Sequence, residues 1–160
     1  MNGVCDLRTK EALRRELRRF LREAGDNIPE EDILKGTNEE HIDTWSFVCS
    51  DEDPSRVVSA ARFEKNDWYS CIIKNLATDP SFRNRGLGTD MAREAKRRAI
   101  DEAGCKVLLA DITVGNEPSE KIFEKKLGFM VVDEFCWASG ERPAKIRHLV
   151  LKPPVDGRCL

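Results

Sequence analysis

The chain has 160 residues, the length of one ordinary domain and enough to bury a substantial hydrophobic core. Its 27 Lys and Arg residues nearly balance 29 Asp and Glu residues, so the net charge of -2 argues against binding nucleic acid through overall charge. No apolar run approaches the roughly 20 residues of a membrane span, and no apolar stretch follows the first methionine as in a secretory signal. We therefore expect a single domain over residues 1–160, in the cytoplasm and without membrane contact.

Six cysteines are spread through the sequence without a CxxC pair. In a chain without a recognisable secretory signal, this spread predicts reduced cysteines rather than a disulfide framework. The two histidines, His41 and His148, are distant from each other and from any cysteine at ligand spacing. We therefore expect no metal site.

The first predicted helix covers residues 10–24, where apolar side chains recur at helical spacing. Thr9 is the predicted cap at its start, and Gly25 follows its end. Arginines fill the rest of the helix surface, with glutamates between them. A solvated face is the first interpretation of this pattern, and docking of RNA or an acidic protein is the alternative.

The pattern then changes to short apolar runs separated by turn-like residues, which indicates strands. The predicted elements are, in chain order, a helix at 30–35, strands at 44–50, 56–64 and 68–78, a helix at 87–103, a strand at 106–113, a helix at 118–127, and strands at 129–137 and 145–151. The first three strands form an antiparallel meander, and the strand after the 87–103 helix returns parallel to its predecessor. The predicted class is α/β with a mixed sheet.

The loop before the 87–103 helix carries the clearest functional signal. Gly86 and Gly88 flank a single residue at the start of that helix. Glycines at this position let a ligand approach the backbone, and the free N–H groups of a helix start favour negative charge. The loop lacks the Lys-Ser/Thr of a P-loop and the third glycine of a dinucleotide-binding motif. The pattern therefore predicts a different kind of anion site.

The pattern Arg83-x-x-Gly86-x-Gly88 follows a strand and precedes a helix, a strand and Asn116-x-x-Ser119, which leads into a segment ending at Phe129. This arrangement resembles the GNAT superfamily of acyl-CoA-dependent N-acyltransferases. The resemblance implies a splayed sheet with acetyl-CoA in the gap. It also implies that the cofactor is bound by residues from the strand end, the loop, and Asn116 with the helix that follows it. These residues are Leu76, Ala77, Thr78, Arg83, Asn84, Arg85, Gly86, Leu87, Gly88, Thr89, Asn116 and Phe123.

The sequence departs from the family pattern at the proton donor. Many members have a tyrosine seven residues after the asparagine, where this chain has Phe123, and a phenyl ring cannot donate a proton. Tyr69, Ser119, Cys71 and water are the alternatives for this role. For the base that accepts the amine proton, Asp111, Glu64 and Glu134 all remain open. By resemblance, a backbone N–H near Ala77 or Thr78 polarises the thioester oxygen.

The leading hypothesis is therefore an N-acetyltransferase in which an amine attacks acetyl-CoA directly in a ternary complex. The amine belongs to a small molecule or a protein. The alternative is a CoA-binding module with weak or lost catalysis, which the phenylalanine at position 123 suggests. The exposed final strand also suggests a homodimer.

Overall fold

The computed structural model describes residues 5–25, 28–139 and 142–153. Its sheet has six strands in the order β1-β2-β3-β4-β6-β5, and of these β3 and β4 are the parallel pair. This arrangement confirms the predicted α/β class with a mixed sheet. The strands are β1 (Trp45–Cys49), β2 (Val57–Lys65), β3 (Ser70–Thr78), β4 (Val107–Thr113), β5 (Met130–Ser139) and β6 (Arg142–Leu151).

Four α-helices accompany the sheet in the described residues: α1 (Lys10–Ala24), α2 (Glu30–Gly36), α3 (Leu87–Asp101) and α4 (Glu117–Glu120), which continues as a π-helical segment (Lys121–Lys126). Short 3-10 turns lie at Ile42–Thr44 and Pro80–Phe82. The predicted cap at Thr9 is present, since its hydroxyl accepts from the Ala12 N–H at 3.1 Å, and at the start of α4 the Asn116 side chain accepts from the Ser119 N–H at 3.4 Å. Among the described residues, no helix combines the length and apolar character needed to cross a bilayer.

The sheet has a hydrophobic core on each face. Side chains of α1, such as Leu17 and Phe20, pack on β1 and β2 on one face. The alanines of α3, such as Ala92 and Ala95, pack on the other face together with Phe123. Small side chains on α3 let the helix approach the sheet closely, and this approach fixes where its N-terminus lies.

A β-bulge in the β2–β3 pairing lies next to the point where β3 separates from β4. Ala60 pairs with Ala77 and Arg62 with Lys74, so Ala61 alone faces two residues of β3, Asn75 and Leu76. Asn75 adopts the left-handed conformation (φ 56°), which asparagine tolerates better than most residues. The β3–β4 pairing ends at Ile73 and Ala110. The rest of β3 diverges from β4, as a splayed sheet requires.

The arginines of α1 hold that helix against the segment that follows it. The Arg14 side chain donates to the Thr37 carbonyl at 3.0 Å, and Arg18 donates to the Thr37 hydroxyl at 2.8 Å. Arg22 pairs with Glu30 at the start of α2. These arginines are engaged within the chain, so their contacts favour a structural role over docking of RNA or an acidic protein.

The expectation of reduced cysteines is wrong for four of the six. The structure pairs Cys5 with Cys49 and Cys71 with Cys105 as disulfides, with Cα–Cα distances of 5.4 and 6.0 Å. The partners are 44 and 34 residues apart in sequence. Local spacing could not reveal pairs that meet only through the fold. Cys136 is a free, exposed cysteine, and Cys159 lies outside the described residues.

Candidate functional site

A cavity of about 690 Å³ lies where β3 and β4 diverge. Its walls are the second half of β3, the loop before α3, the end of β4 and the start of α4 with the π-helical segment. Ala24 and Ile28 line it from the α1–α2 connection. The cavity therefore joins the predicted anion site to the uncovered end of β4.

The start of α3 forms one wall of the cavity. Gly86 has a left-handed backbone (φ 79°), and no side chain caps the helix. The first helical hydrogen bond runs from the Asp90 N–H to the Gly86 carbonyl at 3.0 Å. The N–H groups of Leu87, Gly88 and Thr89 precede that bond and have no acceptor within the helix. All three residues line the cavity, so this wall suits an anion.

Some of the cationic side chains near this wall line the cavity, and others do not. Arg83 and Lys126 line the cavity, and Lys126 donates to the Thr89 hydroxyl at 3.3 Å. Asn84, with a left-handed backbone (φ 62°), also lines it. Arg85 does not. Its guanidinium lies over the Phe82 ring, 4.9 Å from the centroid, and donates to the Ser81 carbonyl at 3.3 Å. The expectation that Arg85 binds the cofactor is therefore not supported by its placement.

The end of β3 forms the opposite wall. Leu76, Ala77 and Thr78 line the cavity, and their backbone lies beyond the last β3–β4 pair. Ala77 and Thr78 pair with β2 on their other side. The edge of β3 that faces the cavity is therefore available to an extended, amide-containing ligand.

Asp79 anchors the loop between these walls. Its carboxylate accepts from the Ser81 N–H at 2.9 Å and lies 3.1 Å from the Arg56 guanidinium. Burial alone would raise the pKa of Asp79, but these contacts outweigh it and hold the pKa below its usual value. The ionised carboxylate thus fixes the turn at Pro80–Phe82 that leads into the anion site.

The start of α4 and the π-helical segment after it present Asn116, Ser119 and Phe123 to the cavity. Phe123 is only 3% exposed and packs edge to face on Phe129, with ring centroids 5.3 Å apart. Its ring is a core element at the cavity wall and carries no proton to donate. Ser119 is the hydroxyl on this helix that lines the cavity. The π-helical segment begins two residues later, at Lys121, and such segments often occur at functional sites.

The three candidate bases occupy different environments. Asp111 lines the cavity. Burial would raise the pKa of Glu64, but Arg62 and Lys74 lower it on balance. Glu134 has a lowered pKa because Lys145 and Arg147 bind it. Glu64 and Glu134 are absent from the cavity walls, so Asp111 is the one of the three that lies where a base would be needed.

Tyr69 lies at the wrong end of the sheet for a proton donor. It precedes the first residue of β3 and does not line the cavity, whose lining begins at Ile72 and continues to the other end of that strand. Its carbonyl accepts from the Lys106 and Val107 N–H groups at the start of β4. The expectation that Tyr69 protonates a leaving thiolate is therefore not supported. Sequence position alone could not tell which end of the strand faces the ligand.

Two features of the site are missing from the sequence-based predictions. One is the bulge at Asn75, for which an asparagine within an apolar strand is a weak signal. The other is His148, whose ring nitrogen Nδ1 lies 2.5 Å from Asp111 Oδ1. That contact depends on the pairing of β6 with β4, which no local pattern encodes. Among the described residues, no group of three or more His, Cys, Asp or Glu side chains is placed to hold a metal ion.

Solved structures share this fold. An acetyltransferase of the GNAT family from Bacillus anthracis matches 93% of this chain and 92% of its own, with 17% identity and a TM-score of 0.66. The Arabidopsis thaliana NAA60 structure with a bisubstrate analogue matches 88% of this chain and 92% of its own, with 12% identity and a TM-score of 0.68.

A third structure, yncA of Salmonella typhimurium with its cofactor acetyl-CoA, has 20% identity and a TM-score of 0.54. The match covers 62% of this chain, which spans 60% of the length of that one. No curated protein sequence matches the chain.

A family model of the acetyltransferase (GNAT) family matches residues 10–129, which is most of the chain and includes α1, the bulged strand, the anion site and the π-helical segment. The match agrees with the splayed sheet and with the cavity between β3 and β4. The chain therefore belongs to the GNAT family of acetyltransferases.

Proposed function

We propose that the chain is an N-acetyltransferase that moves the acetyl group of acetyl-CoA to a primary amine. The observation that carries the proposal is the cavity in which the uncapped start of α3 faces the unpaired edge of β3. These two walls match the two parts of the cofactor, a polyanionic end and an extended amide chain. The proposal takes further support from the acetyl-CoA bound to yncA.

The anion site fits phosphates in detail. A Cβ atom on Gly88 would lie 3.3 Å from Thr78 Oγ1 and 3.4 Å from Ile122 Cδ1, so the absence of a side chain lets the two walls approach each other at this point. The N–H groups of Leu87, Gly88 and Thr89 would bind the pyrophosphate, with Asn84 and Arg83 beside them. Each charge-assisted hydrogen bond contributes about 1.5–3 kcal/mol.

The thioester would lie where β3 leaves β4. Leu76 to Thr78 would pair with the pantetheine amides, and an N–H near Ala77 or Thr78 would polarise the thioester carbonyl. The amine attacks that carbon, the C–N bond forms, and the C–S bond breaks with its electron pair leaving on sulfur. Asp111 at the cavity wall would take the amine proton. This route is direct attack within a ternary complex.

The departing thiolate has no tyrosine to protonate it. Phe123 would contact the cofactor through its ring alone, and Asn116 and Ser119 would flank the thiol end. A free thiol has a pKa near 8.5, so the thiolate leaves without full protonation. Ser119 or water would supply the proton afterwards.

The second candidate function is a CoA-binding module with weak or lost catalysis. The observation in its favour is the same phenylalanine, since Phe123 is buried against Phe129 and no described tyrosine lines the cavity. Both functions need the anion site. They differ in whether an acetyl group moves.

The acceptor would enter from the β4 end of the cavity, beside Asp111. A small-molecule amine and a protein amine both suit this opening. The homodimer and the cytoplasmic location remain predictions. The two disulfides count against a cytoplasmic location, because disulfides are rare in reducing compartments.

The test combines calorimetry with a transfer assay on the whole chain. We expect CoA to bind, and acetyl-CoA with a panel of amines and peptides to yield free CoA thiol and an acetylated product seen by mass spectrometry. CoA binding without any acetylated product would support the module instead. Absence of CoA binding would contradict both functions, and ping-pong kinetics would contradict direct attack.

A further inference from the structure

Three strands place a row of polar side chains beside the cavity. The β3–β4 pairing ends at Ile73 and Ala110, and the next residues of the two strands are Lys74 and Asp111. On the neighbouring strand β6, His148 lies opposite Asp111. Since the residues flanking Asp111 belong to the core beneath α3, Asp111 and His148 lie on the opposite face of the sheet. The row of Lys74, Asp111 and His148 lies at the end of the cavity where an acceptor would enter.

Asp111 and His148 form a pair that solvent can reach. Nδ1 of His148 lies 2.5 Å from Oδ1 of Asp111, and the side chains are 29% and 39% exposed for histidine and aspartate. Asp111 lines the cavity, whereas His148 does not line it and contacts Asp111 from the neighbouring strand β6. Among the described residues, neither Nε2 of His148 nor the second oxygen of Asp111 has a hydrogen-bond partner.

Charged side chains surround the pair, and of the carboxylates at these strand positions Asp111 is the one that lines the cavity. On β3, Lys74 is directed to Glu64, with 3.5 Å between Nζ and Oε2. On β5, Asp133 is the residue opposite His148, and it is exposed. Asp111 on β4, Lys74 on β3 and Asp133 on β5 are therefore the charged groups whose strand positions adjoin His148 or Asp111.

We propose that His148 is a positioning residue that holds Asp111 as the proton acceptor for the amine, a role that rests on the proposed acetyl transfer. The Nδ1–H of His148 donates to Oδ1, which fixes the carboxylate and leaves Oδ2 toward the cavity. An acceptor ammonium gives one proton to Oδ2 and becomes a neutral amine. Its lone pair then forms the C–N bond as the C–S bond breaks, and the remaining excess proton passes to the thiolate or to water.

This arrangement links the rate to the charge of His148. A protonated imidazole beside Asp111 makes the carboxylate a weaker base, because the positive charge favours its ionised form. The neutral imidazole is therefore the form of His148 that supports transfer. Asp111 touches the amine, and His148 acts only through Asp111.

Kinetics of acetyl transfer on the whole chain test the proposal. We expect Asp111→Asn to lower kcat on the order of 10²-fold and His148→Ala to lower it at least about tenfold, with unchanged affinity for CoA. The double variant should be no slower than Asp111→Asn alone, because the two residues act as one unit. His148→Asn should restore part of kcat, since its amide N–H also donates to Asp111.

His41→Ala is the matched control, because it removes the chain's other histidine and should leave kcat unchanged. Wild-type kcat in His148→Ala, or no recovery of kcat in His148→Asn, would overturn the proposal. Nitrogen NMR of the imidazole on untagged His41→Ala gives an answer that does not need acetyl transfer. We expect the Nδ1–H tautomer of His148, changed by Asp111→Asn, and an Nε2–H tautomer insensitive to that substitution would contradict the pairing.

Discussion

At the scale of single residues, Gly88 shows how one missing side chain shapes the site. The backbone of Gly88 lies between Thr78 on β3 and Ile122 on the π-helical segment, and a Cβ atom there would contact Thr78 Oγ1 at 3.3 Å, which is tighter than most side-chain contacts, and would touch Ile122 Cδ1 at 3.4 Å. Leu87 and Gly88 belong to the first turn of α3, so helix propensity itself would favour alanine. The glycine therefore serves the cavity at a small cost to the helix.

Gly88→Ala should separate binding from stability. We expect the Kd for CoA to rise about tenfold, or about 1.4 kcal/mol, because the added methyl group forces the two walls to shift. The free energy of unfolding should change by less than about 1 kcal/mol. Isothermal titration calorimetry and urea unfolding measure the two quantities.

The matched control reverses that outcome. Gly104 has a left-handed backbone (φ 70°) and empty space around its Cβ position, and it lies away from the cavity. Gly104→Ala should lower the free energy of unfolding by about 1–2 kcal/mol and leave CoA binding unchanged. Equal losses of CoA affinity in both variants would contradict a specific role for Gly88.

At the scale of elements, local signals predicted what is local. Thr9 and the apolar spacing of α1 predict a helix at 10–24, and the structure has one at Lys10–Ala24. Gly86 likewise predicts where α3 starts. The contact between His148 and Asp111 depends on strand order, and so does the distance of Tyr69 from the cavity. Periodicity fixes which residues share a strand face but not which strands become neighbours.

The cysteines illustrate the same limit, and their pairing can be measured. Cys5 links the segment before α1 to β1, and Cys71 links β3 to the loop before β4. Thiol titration of the denatured chain without reductant should detect at most two thiols rather than six, because the two bridges take up four cysteines. Loops of 44 and 34 residues imply that each bridge stabilises the fold by about 4 kcal/mol if chain entropy dominates.

A reductant should therefore lower the urea midpoint of the wild-type chain. Cys136→Ser provides the control, because its exposed thiol takes part in neither disulfide. This variant should lose one titratable thiol and keep the wild-type response to reductant. Six thiols in the unreduced wild-type chain would show that the cysteines are reduced, as the sequence alone suggested.

At the scale of the whole molecule, the near-zero net charge conceals an ordered arrangement of charges. The positive residues Arg83 and Lys126 line the anion site, and other cations, such as Arg56 and Arg62, pair with carboxylates. Asp79 and Glu64 have pKa values below their usual range, since Arg56 binds the first and Arg62 and Lys74 bind the second, in each case against the effect of burial. These carboxylates are therefore more stable as anions in the folded chain than in the unfolded one.

That difference fixes the sign of the pH dependence. A carboxylate with a lowered folded pKa contributes its full stabilisation above its unfolded pKa, near 3.9 for Asp and 4.3 for Glu. The contribution is lost as the pH falls through the folded pKa. The free energy of unfolding should therefore be nearly constant between about pH 5.5 and 7 and should fall below about pH 4.

The variant Asp79→Ala tests how much of this loss of stability at low pH comes from one residue. The variant loses the acceptor for the Ser81 N–H and the partner of Arg56, so it should be about 1–2 kcal/mol less stable at pH 7. Its difference from wild type should narrow below about pH 4, because the wild-type carboxylate is then protonated. Glu39→Gln, at an exposed site in the segment before β1, should keep the wild-type curve. A difference for Asp79→Ala that stays constant down to about pH 2 would show that the carboxylate stabilises the turn by packing rather than by its charge.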